Sequence, residues 1–237
     1  AVAASSWLRN QLESASVFRN KRHETILLGI DADVFKPAPQ GVAREILGLP
    51  THKKIIFFGA NNIDEERKGI FYLLDALSQL HVLLNTKPDL CENILVVTAG
   101  RLKNKAQLCI PFEHQHIGWL QGDEKLAVAY QSADVFVNAS IEDSGPMMIN
   151  ESILCGTPVV SFEMGVALDL VHSDGTGYRA RLKDSADMAA GLLRLLEMDD
   201  DCAQAMRIEC RALGMQLSHP DVQVRAFMQL FESGNLI

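Results

Sequence analysis

Short apolar runs alternate with longer segments of helical periodicity along most of the chain. Apolar runs bounded by turn residues are typical of buried strands, and apolar positions recurring every three to four residues predict helices. Their alternation predicts an α/β fold, a parallel sheet with helices on both faces. The predicted strands are 25–28, 54–58, 93–99, 114–117, 135–137, 159–162 and 177–179. The predicted helices are 42–47, 69–85, 124–132, 146–155, 185–197, 200–215 and 222–232, with Asp123 as the N-cap of the third.

Composition narrows the class of protein. The 237 residues are 48% apolar, enough for the core of one large α/β domain, and carry a net charge of −8. This acidic balance argues against nucleic acid as a partner. Five scattered cysteines without a CxxC pair predict neither a disulfide framework nor a zinc ribbon, so we expect a cytoplasmic protein. No apolar run reaches the roughly 18 residues of a membrane-spanning helix.

The most informative segment runs from 143 to 160. Pro146 favours the first turn of a helix, and Gly156 with Pro158 predicts its end. Two carboxylates, Asp143 and Glu151, then flank the helix N-terminus, the second roughly 7–8 Å along the axis. Free N–H groups and the positive end of the helix dipole lie between them. This arrangement suits a ligand with an anionic middle and hydroxyl-rich ends, such as a nucleotide-diphosphate sugar; the alternative is a solvated loop followed by an ordinary surface glutamate.

The same segment resembles the signature of the retaining glycosyltransferases of the GT-B fold, group 1 type: an acidic residue, seven residues, Glu, then small-Cys-Gly-Thr/Ser-Pro-Val-Val. The resemblance implies a Rossmann-like, nucleotide-sugar-binding domain that transfers a sugar to an acceptor hydroxyl with retained anomeric configuration. It implies that Asp143 faces the transferred sugar and that Glu151 holds the ribose. Asp replaces the usual Glu at the first position; the neighbouring Glu142 is a competitor for that role, but the spacing to Glu151 favours Asp143. The donor-binding residues expected here are Ser144, Gly145, Pro146, Met147 and Glu151.

A second element of the resemblance follows the strand that ends at Phe58. Relatives commonly show Gly-Arg and then Lys-Gly, with both cations on the diphosphate. Here Lys68 matches the lysine, while Ala60 stands where the arginine is usual, and Arg67 is a possible substitute. A positioned cation stabilises the charge that develops on a departing diphosphate, so Lys68 is predicted to be catalytic together with Asp143. We expect donor contacts from the predicted loop that begins at Gly59, namely from Gly59, Ala60, Asn61 and Arg67.

Glycines that follow two predicted strands point to the same cleft. Gly100 and Gly118 each follow a predicted strand, and ligands of open α/β sheets bind beyond the carboxyl ends of the strands. The resemblance implies that the backbone at Ile117 and Gly118 contacts the nucleotide base. The alternative is that both glycines are ordinary turn residues.

Other candidate chemistry is weaker. His114 and His116 alternate along one strand, but a zinc site needs a third or fourth ligand and none is evident in the sequence. The resemblance implies a reaction without metal or cofactor. Arg101, Lys103 and Lys105 form a basic patch that either orients the donor, faces an acceptor-binding domain or is a solvated loop.

The resemblance also predicts the domain organisation. Residues 1–22 are expected to be a remnant of a preceding acceptor-binding domain or its linker helix, 23–220 the donor domain, and 221–237 a helix that crosses back. The expected partners are a UDP- or GDP-sugar and an acceptor glycan or lipid-linked saccharide, with no nucleic acid. The full-length enzyme is expected in the cytoplasm, with peripheral association at the inner face of the membrane as the alternative.

Three alternatives remain open at this stage. Ala60, and Leu28 in place of a customary Asn, keep a non-catalytic nucleotide-sugar-binding module under consideration. A GT-B-fold nucleotide-sugar epimerase is a second alternative, although such enzymes lack the Cys-Gly-Thr-Pro context. A receiver-like interaction domain is the third, and it would need a phosphoacceptor Asp at a strand end.

Overall fold

The computed structural model describes residues 1–102 and 108–233, so the predictions for Lys103 and Lys105 lie outside the described residues. Within that part, six parallel strands form one sheet in the order β5-β4-β3-β6-β7-β8, and two short strands pair separately. The short strands are β1 (Val2–Ala3) and β2 (Glu24–Thr25). The main sheet contains β3 (Lys54–Asn62), β4 (Ile94–Arg101), β5 (Glu113–His116), β6 (Val135–Asn138), β7 (Val159–Phe162) and β8 (Gly177–Ala180).

Helices connect and cover the strands. They are α1 (Ser6–Ser14), α2 (Gln40–Leu47), α3 (Ile70–Leu83), α4 (Pro88–Glu92), α5 (Asp123–Ser132), α6 (Met147–Leu154), α7 (Ala167–Leu170), α8 (Ser185–Leu196), α9 (Asp200–Leu217) and α10 (Pro220–Glu232). Right-handed crossovers place α3 on one face of the sheet and α5 and α6 on the other. Helix α8 packs against α3, and α2 and α9 pack against α5 and α6. The predicted α/β architecture is confirmed.

The strand order reverses between β3 and β6. From β3 the chain crosses towards β4, whereas from β6 it crosses to the opposite side, towards β7. In open parallel sheets the crevice outside the carboxyl ends of the strands at such a switch point is where ligands bind. The topology therefore directs attention to the loops after β3 and β6.

Both faces of the central strands are covered, which is why these strands are continuous apolar runs. Phe57 of β3 and Phe136 of β6 are fully buried. Tyr130 of α5 packs edge-on against both rings, with centroid distances of 5.6 and 5.1 Å. This aromatic cluster fixes α5 against the sheet and places the Tyr130 hydroxyl deep inside the domain.

Several predicted boundaries were wrong. The strand expected at 25–28 ends at Thr25 and pairs with β1, outside the main sheet. Strand β3 continues to Asn62, so Gly59, Ala60 and Asn61 belong to a strand and not to a loop, because Gly59 and Asn62 pair with β4 on either side of a register shift. Asp123 is the first residue of α5 and Gly122 its N-cap. Helices α4 and α7 were not predicted and are only 5 and 4 residues long, whereas α1 lies within residues 1–22, for which a linker helix was one expectation.

The C-terminal helix leaves part of its apolar stripe uncovered. In α10, Leu230 is buried, while Val224, Met228 and Phe231 are exposed. Within residues 1–102 and 108–233, no helix combines the length and apolarity needed to cross a bilayer. The domain divisions at 22 and 220 stay predictions.

Candidate active site

A tight turn between β3 and α3 positions the predicted phosphate lysine. A single 3₁₀ turn, Glu66–Lys68, ends at Gly69 with φ +70°, and a Cβ at Gly69 would lie 1.8 Å from the carbonyl oxygen of Ala139. The amide of Ile141 donates a hydrogen bond to the Arg67 carbonyl at 2.9 Å. Because only glycine permits this approach, the turn packs directly on the loop after β6.

That packing brings the two predicted catalytic residues together. Lys68 Nζ lies 2.8 Å from Asp143 Oδ2, and their side chains are 17% and 16% exposed. Arg67 Nη1 lies 3.7 Å from the same oxygen, while its Nε bonds Glu65 at 2.6 Å. The competing acid, Glu142, is exposed. Two cations therefore converge on Asp143 at the switch point of the sheet.

The loop that carries Asp143 leads directly into α6. Pro146 is the N-cap with φ −65°, and no side chain of the described residues caps the helix. Gly165, with φ +56°, lies against this loop; a Cβ there would come within 2.9 Å of Pro146 Cδ and 3.0 Å of the Asp143 carbonyl oxygen. Ser144 is exposed and Gly145 is half-buried. The N-terminus of α6 thus offers its N–H groups beside the cationic cluster.

The second carboxylate has a different environment. Glu151, one turn into α6, is 6% exposed, and its Oε2 accepts a hydrogen bond from the Tyr130 hydroxyl at 2.9 Å. Burial raises the pKa of Glu151 to about 7; the bond from Tyr130 lowers the pKa, and the nearby charge of Asp123 raises it. The pKa of Tyr130 is raised by burial and then by Glu151. Glu151 is therefore a buried acid that titrates near neutrality.

A cleft of about 220 Å³ opens at the carboxyl ends of β3 and β4. The predicted donor residues that line it are Gly59, Ala60, Asn61 and Gly100. Its other described lining residues, which sequence reasoning missed, are Ala99, Trp119, Leu120, Leu126 and Met148. Trp119 is 49% exposed, and the Arg101 guanidinium lies 4.8 Å from its ring centroid. The one signal available in the sequence was an aromatic residue directly after a strand-end glycine.

Glycines allow the cleft floor to form. Gly100 has φ +138°, and a Cβ there would lie 1.9 Å from the Ala60 carbonyl oxygen. At Gly59 a Cβ would meet the Met148 side chain at 3.0 Å. Both positions lie beside the register shift between β3 and β4, where the two backbones approach closely. A side chain at position 100 would push the strand ends apart.

The remaining predicted site residues lie around this cleft. The amide of Ile117 donates to the Thr98 carbonyl at 2.9 Å, and the Gly118 carbonyl accepts from Gly100 at 2.8 Å. These bonds tie the backbone before Trp119 to the end of β4, although Ile117 and Gly118 are not among the described lining residues. Met147 is half-exposed, and its neighbour Met148 lines the cleft instead.

The two histidines are held by a neighbouring strand. The Thr98 hydroxyl is 2.8 Å from His114 Nε2 and 3.0 Å from His116 Nδ1. Burial and then the neighbouring His116 lower the pKa of His114. In the described part of the chain, no group of three or more His, Cys, Asp or Glu side chains is arranged to hold a metal ion. Hydrogen bonding to Thr98 therefore accounts for the arrangement of the His114 and His116 side chains.

Comparison with known proteins gives the family. The model of the family "glycosyl transferases group 1" matches residues 40–209. The chain therefore belongs to the glycosyl transferases group 1 family, as its sequence motifs predicted. Phosphatidyl-myo-inositol mannosyltransferase of Mycobacterium leprae is 30% identical over 177 residues, which cover 72% of this chain and 43% of the relative. The chain thus spans less than half of that relative's length.

Solved structures share the fold. Sucrose-phosphate synthase from Thermosynechococcus elongatus has a TM-score of 0.80 at 21% identity, covering 98% of this chain and 57% of the synthase chain. Anabaena HepE, solved in complex with UDP-glucose, has a TM-score of 0.74 at 18% identity, covering 98% of this chain and 63% of its own. These similarities confirm the predicted GT-B type of α/β domain.

Proposed function

We propose that this chain is the donor-binding domain of a retaining glycosyltransferase that uses a nucleotide-diphosphate sugar. One observation carries the proposal: Lys68 and Asp143 form a 2.8 Å ion pair at the switch point of the sheet, beside the N-terminus of α6. A cation and a helix N-terminus at that place match the negative charge that grows on a departing diphosphate, and an acid matches the positive charge that develops at the anomeric carbon.

Lys68 is the proposed contact for the diphosphate. When the bond between the anomeric carbon and the phosphate oxygen breaks, its electron pair leaves with the diphosphate, whose negative charge grows. Lys68, with Arg67 at 3.7 Å from the same carboxylate, supplies positive charge at that place. The free N–H groups of α6 add hydrogen-bond donors. In the family's usual arrangement an arginine stands at position 60; Arg67 takes its electrostatic role here.

Asp143 is proposed to face the transferred sugar. The anomeric carbon becomes electron-poor as the diphosphate departs, and a carboxylate nearby stabilises that positive charge. Retention requires the acceptor hydroxyl to bond to the anomeric carbon on the face that the diphosphate leaves, and its proton goes to the leaving group. A donor that binds must first draw Lys68 away from Asp143, which frees the carboxylate for the sugar.

The nucleoside is proposed to occupy the cleft beyond the α6 N-terminus. Glu151, when ionised, accepts hydrogen bonds from the ribose hydroxyls, with Tyr130 holding its other oxygen at 2.9 Å. Trp119 offers an aromatic wall for the base, since it lines the cleft and is 49% exposed. HepE, which shares the fold, was solved with UDP-glucose, which supports a uridine nucleotide as the first donor to test.

Acceptor recognition belongs to a part of the enzyme beyond this chain. The M. leprae relative is more than twice as long as its match, and its name states action on a phosphatidyl-inositol. We therefore propose a glycan or lipid-linked saccharide as acceptor and a cytoplasmic location, at the inner membrane face if the acceptor is a lipid. We propose that no metal or cofactor takes part.

Calorimetric titration with UDP, GDP and ADP tests the proposal. One nucleotide should bind, and Lys68→Ala should weaken it by about tenfold, the effect expected of one charge-assisted hydrogen bond. Lys87→Ala is the matched control, because Lys87 pairs with Glu197 beyond the far end of α3 and lies outside the cleft. Equal affinities in the wild-type chain and Lys68→Ala would refute the role of Lys68.

A non-catalytic nucleotide-sugar-binding module remains the second candidate, and Ala60 supports it. Ala60 lines the cleft, is 5% exposed and carries no charge. Sugar transfer by the full-length enzyme, abolished by Asp143→Asn, would exclude this candidate. Donor binding without any transfer would favour it.

A further inference from the structure

One peptide unit in the loop before α6 is held from both sides. The peptide between Ser144 and Gly145 has its carbonyl oxygen 2.8 Å from the Ser5 hydroxyl, which donates to it. Its N–H donates to Asp143 Oδ1 at 3.3 Å. The peptide is planar and trans, so its C=O and N–H point in opposite directions and turn together. Fixing the carbonyl therefore fixes the amide that faces Asp143.

Ser5 is well placed for this task. It is fully buried, and it is the N-cap of α1, where its oxygen also accepts a hydrogen bond from the Leu8 amide at 3.1 Å. With its one proton donated to Ser144 and a lone pair given to Leu8, the hydroxyl has a single orientation. Without it, a peptide that precedes glycine would rotate readily.

Neighbouring contacts hold Ser5 against the loop. The amide of Ser6 donates to Asp169 Oδ2 at 3.0 Å, and its hydroxyl bonds the other oxygen of Asp169, so α7 anchors the start of α1. A Cβ at Gly145 would lie 3.5 Å from the Ala4 methyl. The loop is therefore enclosed by residues 4–5 on one side and by the turn before α7 on the other.

We infer that Ser5 is a positioning residue for Asp143: through the Ser144–Gly145 peptide it sets the carboxylate that the proposed function places at the transferred sugar. The inference rests on that function for its consequence, but the geometry can be tested without any ligand. It also links α1, far away in sequence, to the donor site. A shift of α1 would turn the same peptide and move Asp143.

NMR of the ligand-free chain tests the geometry. The Gly145 amide resonance should move in Ser5→Ala by about as much as in Asp143→Asn, because both changes break the same N–H contact. Ser5→Thr, which keeps the hydroxyl, should restore it. Ser14→Ala is the matched control: it removes a serine hydroxyl bond at the opposite end of α1 and should leave Gly145 unchanged. If Ser5→Ala does not fold, Ser5→Gly, which caps helices nearly as well, replaces it.

Ligand binding then tests whether the position that Ser5 gives to Asp143 affects recognition of the sugar. In Ser5→Ala the affinity for UDP-glucose should fall by about fivefold relative to the affinity for UDP, since Asp143 meets the sugar and not the diphosphate. An unmoved Gly145 resonance, or equal loss of both ligands, would overturn the inference. If wild-type chain binds neither UDP nor UDP-glucose, the proposed function fails for these ligands, while the Gly145 resonance still decides whether Ser5 positions Asp143.

Discussion

Asp143 and Glu151 belong to one short motif, yet the fold gives them opposite surroundings. Asp143 lies in a loop at the surface, where Lys68 contacts it at 2.8 Å and Arg67 at 3.7 Å. Glu151 is buried in α6 beside the neutral hydroxyl of Tyr130, and its pKa rises to about 7. Identical functional groups thus acquire different chemistry from their environments.

The different surroundings of Asp143 and Glu151 suit different parts of a nucleotide sugar. Cations and a helix N-terminus are suited to the charged diphosphate, and the carboxylate of Asp143 is suited to the sugar that leaves it. A buried acid with one oxygen held by Tyr130 is suited to neutral hydroxyl groups, which it can bind without a competing cation. The proposed function accordingly assigns the ionic part of a nucleotide sugar to Asp143 and its cations and the neutral part to Glu151.

The largest predicted effect concerns stability. Ionising Glu151 in the folded protein is unfavourable, since its pKa of about 7 lies above the ordinary 4.5. The folded state therefore loses stability as pH rises from 4.5 through 7, by about 3 kcal/mol at about 1.4 kcal/mol per pKa unit. Glu151→Gln should raise the free energy of unfolding by about this amount at pH 8 and by much less at pH 5, as measured by urea denaturation. Equal effects at both pH values would contradict the raised pKa.

Tyr130→Phe tests the surroundings of Glu151, because it removes the hydrogen bond from the Tyr130 hydroxyl. The hydrogen bond from Tyr130 favours the ionised form of Glu151, so its loss should move the pKa of Glu151 above about 7. The change should also cost about 1–2 kcal/mol of stability, because a buried acceptor loses its partner. A carbon-detected NMR titration of the Glu151 carboxyl group measures the first effect. A downward shift of the pKa would be inconsistent with this account.

Asp143→Asn should strengthen the binding of UDP by about fivefold, because Lys68 then no longer has to leave an ion pair before it meets the diphosphate. Glu142→Gln is the matched control and should change affinity by less than twofold, since Glu142 is exposed and the cations lie on Asp143. Calorimetry with UDP measures both. Weaker binding in Asp143→Asn would mean that the carboxylate itself holds the nucleotide.

The smallest effect expected is that of Met147→Ala on UDP affinity. Met147 is 49% exposed, and Met148, not Met147, lines the cleft. We expect a change below twofold for Met147→Ala and a larger loss for Met148→Ala, whose side chain lies within 3.0 Å of where a Gly59 Cβ would be. The reverse order would place the nucleotide outside this cleft.

The sheet and the 143–151 segment could be predicted from the sequence because both depend on patterns of residues that are neighbours along the chain. Apolar runs marked the central strands, and Pro146 marked the start of α6. The extension of β3 through Gly59–Asn62 was missed because small and polar residues indicate a loop, whereas pairing with β4 keeps them in the strand. Tyr130 and Trp119 were missed because their proximity to the site is created by tertiary packing.

The most direct test compares UDP with uridine in NMR titrations of the wild-type chain, Lys68→Ala and Glu151→Ala. The account predicts that Lys68→Ala weakens UDP and leaves uridine unchanged, because Lys68 meets only the diphosphate. Glu151→Ala should weaken both, because both carry the ribose. If the two substitutions weaken both ligands equally, or affect neither, the division of the site between an ionic end and a neutral end is wrong.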